Sequence, residues 1–155
     1  MTFISVAQTQ TETPAVISSH PFWPSIDPEK VRDAQRIDGT VTDSRLVHAV
    51  VSAMASVNAD LKPFRQEQQA AGINTLADVE AETINEESVL VFSYRRAVYA
   101  TAHANLIERY RNFDSTAEGN KQADQQDLTA DDLYRDARFA IRDILGVTHI
   151  TVELI

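Results

Sequence analysis

The 155-residue chain contains no cysteine. Disulfides, zinc–thiolate sites and cysteine nucleophiles are excluded together, and stability must come from packing. Glycine is nearly as scarce. Its four residues supply neither a dinucleotide-binding fingerprint nor a phosphate loop, and no G-x-S-x-G elbow is present to hold a nucleophilic serine. No apolar run reaches the roughly eighteen residues that a membrane helix needs, and residues 1–10 lack the basic start and apolar stretch of a secretory leader. These absences predict a protein that stays in the cytosol and away from membranes.

Positive charge is also short, with 14 Lys and Arg against 23 Asp and Glu, a net −9. Affinity for duplexes rests largely on Lys and Arg neutralising phosphates, so general nucleic-acid binding is disfavoured. The four histidines, His20, His48, His103 and His149, stand too far apart for a zincin motif or a His/Cys metal cluster. His103, on an apolar helical stretch, reads as structural. No catalytic, cofactor-binding or metal-binding residue is expected, and the chain is not read as an enzyme.

What is present is the pattern of one helical domain of ordinary size and hydrophobic content. Residues 1–21 are rich in Thr, Gln and Ser without a sustained period, which predicts a flexible N-terminal arm. The domain proper is expected over residues 22–155. Its junction, Phe22-Trp23-Pro24, offers two aromatic rings in a stretch where proline forbids helix.

Asp27-Pro28 is a strong helix start, with Ile26 and Val31 placed to form a hydrophobic staple. That short helix is expected to run to about Ile37 and stop at Asp38-Gly39. Thr42 then caps a longer helix whose Leu46, Val50, Met54, Val57, Leu61 and Phe64 recur at three- and four-residue intervals, ending at Gly72. Pro63 removes a donor from it and predicts a bend or break near residues 59–61, with helix resuming through Ala71.

Residues 75–79 read as a single capped turn. Asn85-Glu86-Glu87 has the acid-rich signature of a further helix start. The central helix, over residues 89–110, carries Val89, Phe92, Val98, Tyr99, Leu106, Ile107 and several alanines around much of its circumference, as a helix buried on several sides does. Residues 114–127 read as a surface loop. Thr129 with Asp132 opens a last helix that Gly146 ends. Residues 149–155 alternate polar and apolar, with Ile150, Val152 and Leu154 on one side, which is a strand signal. A lone strand needs a partner, either from another chain or from residues 3–6 of its own. The fold class is all-α: a small helical bundle with a long central helix, an extended N-terminal arm and a short C-terminal β-strand.

The arginines are grouped. Arg95-Arg96, Arg109 and Arg111 lie along the central helix, and Arg135, Arg138 and Arg142 recur at helical spacing on the last one. Pairing with Glu108, Asp136 and Asp143 is one reading. Contact with acidic surfaces of neighbouring subunits is the other, since arginine is enriched at interfaces.

Particular segments then carry a resemblance. Phe22-Trp23-Pro24-Ser25-Ile26-Asp27-Pro28-Glu29-Lys30-Val31-Arg32, Gln69-Ala70-Ala71-Gly72 with Thr75-Leu76-Ala77-Asp78-Val79, Leu106-Ile107-Glu108-Arg109-Tyr110-Arg111 and Leu133-Tyr134-Arg135-Asp136-Ala137-Arg138 resemble, in order and spacing, successive segments of the head-completion proteins of temperate contractile-tailed phages. Pro63 departs from that pattern, which has an uninterrupted helix there. The resemblance implies a structural virion protein with no catalytic residues. It would join the portal vertex after DNA packaging and form a ring of about twelve copies by heterologous contacts that close on themselves. It would sit at the neck, reached through the host cytoplasm, and provide the docking surface for tail or neck proteins.

Double-stranded DNA would pass through such a ring without specific binding, its phosphates repelled by carboxylates facing the channel. The candidate assembly contacts are Phe22, Trp23, Arg109, Arg111, Arg135, Arg138, Ile150, Val152 and Leu154. The alternative is a small terminase-like subunit that selects DNA, with a helix-turn-helix placed at the first two helices. There the second helix presents only Arg45 and His48 before turning apolar.

Overall fold

The computed structural model describes residues 15–111 and 129–147. Among these, five α-helices and one two-stranded hairpin surround a core drawn from every helix except α3, which packs on it through Phe64: α1 Pro28–Gln35, α2 Asp43–Asp60, α3 Lys62–Ala70, β1 Thr83–Ile84, β2 Glu87–Ser88, α4 Val89–Arg111 and α5 Ala130–Leu145. A single turn of 3₁₀ helix at Leu76–Asp78 lies between α3 and the hairpin.

α1 begins as its sequence dictates. The Asp27 carboxylate accepts from the Glu29 N–H at 3.0 Å, and Pro28 fills the first turn. Ile26 and Val31 are fully buried, as a staple requires. The helix stops earlier than expected. The residue that turns left-handed is Arg36 (φ 53°) and not Gly39, at a cost of about 1 kcal/mol for a side chain with a Cβ. Arg32 secures the passage into α2: its guanidinium donates to the carbonyls of Asp38 (2.8 Å) and Val41 (3.0 Å) and meets Asp43 at 2.9 Å. One side chain thus gathers the whole α1–α2 connection.

α2 carries the anticipated stripe, with Leu46, Val50, Met54 and Val57 buried and Ala49 and Ala53 filling the space between them. It ends at Asp60. Leu61 is buried at the break, and Pro63 takes the first turn of α3, where a missing N–H costs little. Of the expected bend or break, the structure shows a break at Leu61, with helix resuming at Lys62.

Asn85-Glu86-Glu87 is a hairpin and not a helix start. Asn85 and Glu86 adopt φ 52° and 64° between β1 and β2, which pair antiparallel with Thr83 opposite Ser88 and Ile84 opposite Glu87. Two successive left-handed residues suit the twist of a tight hairpin, and Asn tolerates that geometry best after glycine. Acidity near a helix signalled a cap; the backbone used those residues as a turn instead.

α4 lies between two packing partners, α2 on one side and α5 on the other. Alanines 97, 100, 102 and 104 are buried with Tyr94, Val98 and Leu106. Phe92 departs from the expectation of burial and stands 59% exposed, whereas Tyr94, two residues on, is fully buried. α5 opens with a complete capping box between Thr129 and Asp132 and closes on left-handed Gly146 (φ 68°). The expected loop at 114–127 and strand at 149–155 lie outside the described residues.

Candidate assembly surface

The aromatic junction is an interior feature. Phe22 and Trp23, expected at subunit contacts, are buried within this chain alone to 1% and 5% exposure. Trp23 stacks on Tyr94 with centroids 5.0 Å apart and planes 4° from parallel, while Phe22 meets the edges of Trp23 and Phe64. The physical reason is area: two large rings bury more apolar surface on α3 and α4 than a flat contact with a neighbour offers, each worth on the order of 2–3 kcal/mol.

Residues 15–21, read as part of the arm, follow the same body. Ile17 exchanges both backbone hydrogen bonds with Ile26 at 2.8 Å. Asn58 donates to the Ser19 hydroxyl at 3.1 Å and accepts from the Tyr94 hydroxyl at 2.6 Å. Burial first, opposed by the phenol's own hydrogen bonding with Ser19 and Asn58, pushes Tyr94 up to about 12. The site is a structural lock.

The arginine groups divide. Arg96, on α4, bonds Asp136 through Nε at 3.0 Å and reaches Asp143 at 3.4 Å, both on α5. The Asp136 hydrogen bond, first among several causes, raises the guanidinium's affinity for its proton. Arg95 pairs with Glu87 of the hairpin. Arg135 pairs with Asp132 within the first turn of α5, where Thr129 holds the Asp132 carboxyl below its ordinary range. Arg138 and Arg142 are exposed on the same helix and have no ion pair among the described residues. The side chain of Arg111 and the residues Ile150, Val152 and Leu154 lie outside the described part of the chain.

Two surface features were missed in the sequence. The first is apolar. Because Arg96 meets Asp143, the start of α4 lies beside the end of α5, so exposed Phe92 (59%), Leu145 (44%) and Val147 (50%) belong to the same end of the antiparallel pair. The available signal was Phe92 itself, offset by two from Tyr94 on a helix with room for only one of them inside.

The second feature is basic. Ser44, Arg45, His48 and Ala49 of α2 and Leu106, Arg109 and Tyr110 of α4 line an open groove of about 240 Å³. The Arg45 guanidinium lies 5.1 Å over the Tyr110 ring, a cation–π contact that fixes its direction without neutralising it. Neither Arg45 nor Arg109 has an ion pair among the described residues. Arg109, expected on the helix's basic end, is thus joined by partners from α2 that sequence spacing alone does not connect.

No group of three His, Asp or Glu side chains that would hold a metal occurs among the described residues, nor any helix long and apolar enough to cross a membrane. Burial lowers the affinity of the His103 ring for its proton, and its Nδ1 lies 2.9 Å from Gln35 Oε1, tying α4 to α1.

Comparison with known proteins supplies the identity. The family model described as phage head completion protein (GPL) matches residues 17–155. The head completion/stabilization protein of Escherichia phage P2 is 46% identical over 140 residues, which cover 90% of this chain and 83% of that protein. The probable head completion/stabilization protein of Haemophilus phage HP1 is 25% identical over 150 residues, 96% of this chain and 97% of that protein. No solved structure matches the chain. With its relatives named as structural components and not as enzymes, and the family model spanning all but its first residues, the chain belongs to the phage head completion protein family.

Proposed function

We propose that this head completion protein joins the portal vertex once DNA is packaged, closes into a ring of about twelve copies there, and presents the surface on which tail or neck proteins dock. The observation that carries this reading is the match to head completion/stabilization proteins along nearly the whole chain. The fold supports it with exposed surface suited to contacts: Phe92, Leu145 and Val147 at one end of the α4–α5 pair, and the basic groove. In the assembled particle the protein is a neck component, gathered from the host cytoplasm. The excess of carboxylates keeps the channel from gripping DNA.

The residues expected to engage neighbours are Arg109, Arg111, Arg135, Arg138 and the apolar side of the C-terminal segment, Ile150, Val152 and Leu154. Phe22 and Trp23 no longer belong to the set. Nor is the small terminase-like alternative retained. The α1–α2 unit is fastened by Arg32, and α2 turns to the core at Leu46, immediately after Arg45.

Co-sedimentation with the portal ring of the same phage tests the reading, comparing the intact chain with one ending at Val147. Binding by the intact chain, weakened by the truncation, is expected. Failure of the intact chain to bind portal rings of verified integrity would overturn it.

A further inference from the structure

We infer that the basic groove between α2 and α4 receives the acidic β1–β2 hairpin of a second copy of this chain. The inference rests on the ring reading above and names the two patches that such a ring must bring together.

Between Arg65 and Arg95 the sequence holds no Lys or Arg, while it carries Glu67, Asp78, Glu80, Glu82, Glu86 and Glu87. Glu87 is taken by Arg95. Glu80, Glu82 and Glu86 are exposed and have no ion pair among the described residues. Between them stands Ile84, 71% exposed, the most exposed large hydrophobic residue of the described chain. The hairpin is thus an apolar knob flanked by carboxylates.

The groove has the complementary chemistry. Ala49 and Leu106, each only 4% exposed, form its apolar floor, and Arg45, His48 and Arg109 rim it. An apolar side chain seated on that surface would bring its flanking carboxylates to two guanidinium groups that have no ion pair among the described residues, of which Arg45 is already oriented by Tyr110. On a chain of net −9 a basic groove is unusual, and a second copy offers it an acidic, apolar-tipped partner in the hairpin. A duplex would meet the same cations, but it would also meet the surrounding acids and would leave the apolar lining unused.

Placement supplies the third step. The hairpin leads directly into the start of α4, whereas the groove lies at its other end, by Leu106, Arg109 and Tyr110. The 23 residues of α4 separate them by roughly 30 Å at 1.5 Å per residue. Two different patches at opposite ends of one rod cannot satisfy each other within a chain. They join copies head to tail, the heterologous contact that closes into a ring when its rotation permits.

The test is charge reversal with complementation. Full-length wild type, R45E/R109E and E80K/E82K/E86K are examined by sedimentation velocity, alone and with purified portal rings, at low and high salt. Each variant alone should need a roughly tenfold or greater concentration to assemble, and raised salt should weaken the wild type similarly. An equimolar mixture of the two variants should recover assembly, since each then meets an opposite charge; recovery also shows that both are folded.

Variants that assemble like wild type, or a mixture that fails to recover, would overturn the assignment of the contact while leaving the ring intact. Normal assembly of R45E/R109E with lost retention on duplex DNA would give the groove to nucleic acid instead. If wild type neither assembles nor binds portal rings, the ring reading itself fails and takes this inference with it.

Discussion

The two seams that flank α4 are built on different principles. Towards α2 the contact is made of bulk: Leu46, Val50, Met54, Val57 and Leu61 meet Tyr94, Val98 and Leu106, with Phe22 and Trp23 closing one end. Towards α5 small residues predominate, Ala100, Ala104, Ala137 and Ala140, with Leu133 and Ile144 among them. Polar pairs line its edge, from Arg96 with Asp136 and Asp143 to Tyr134, whose hydroxyl is 2.8 Å from Glu108 and 2.9 Å from Asn105. The first seam gains free energy from apolar area. The second is rich in alanine, whose small side chains let backbones approach, so it should tolerate loss of volume better than addition.

That contrast orders the expected effects. Trp23→Ala, which removes the stacked partner of Tyr94, should cost about 3–5 kcal/mol in urea unfolding, and Leu61→Ala about 2–5 kcal/mol. A loss under 1 kcal/mol at both positions would show that the bulky seam is not where stability resides. Ala104→Leu should cost about 1–3 kcal/mol by forcing α4 and α5 apart, whereas Ala104→Gly should cost about 1 kcal/mol, chiefly through helix propensity. If the leucine variant is as stable as wild type, the small-residue seam is looser than its composition implies.

How much of this was legible in sequence depends on the same divide. Residues that act through local backbone geometry announced themselves: Asp27-Pro28, Thr42, the Thr129 and Asp132 box, Gly146 and the interruption at Pro63 all lie where their chemistry puts them. The α2 stripe was legible because one helix face is apolar. On α4 apolar residues surround the axis, so periodicity gave no way to choose between Phe92 outside and Tyr94 inside; only the positions of Trp23 and Asn58 decide that. The hairpin was misread because Asn85-Glu86 lacks the glycine that usually marks such a turn. The basic groove was out of reach, since Arg45 and Arg109 are brought together by packing alone.

The polar edge of the small-residue seam should matter less than its packing. Arg96→Gln leaves Asp136 and Asp143 half-exposed and able to solvate, so the loss should stay under about 1 kcal/mol and shrink further at high salt. A loss of several kcal/mol, insensitive to salt, would mean that the ion pairs and not the alanines hold α5 in place.

The smallest expected effect concerns His103, which faces α1 and so belongs to neither seam. Burial makes its ring harder to protonate in the folded protein than at its ordinary value of 6.5. Below that value the unfolded chain therefore binds more protons than the folded one, and stability must fall as pH drops until the folded ring titrates too. Above it, folded and unfolded chains are both neutral at this position and the slope vanishes. The many carboxylates of the chain add their own dependence at lower pH, so the comparison is with His103→Gln, which keeps a hydrogen-bonding group towards Gln35 but cannot charge. Denaturation midpoints at several values between pH 7.5 and 5.5 should converge as pH falls, wild type losing ground to the variant. Parallel curves would place the His103 ring in water, and would make the contact between α1 and α4 weaker than the bulky seam beside it.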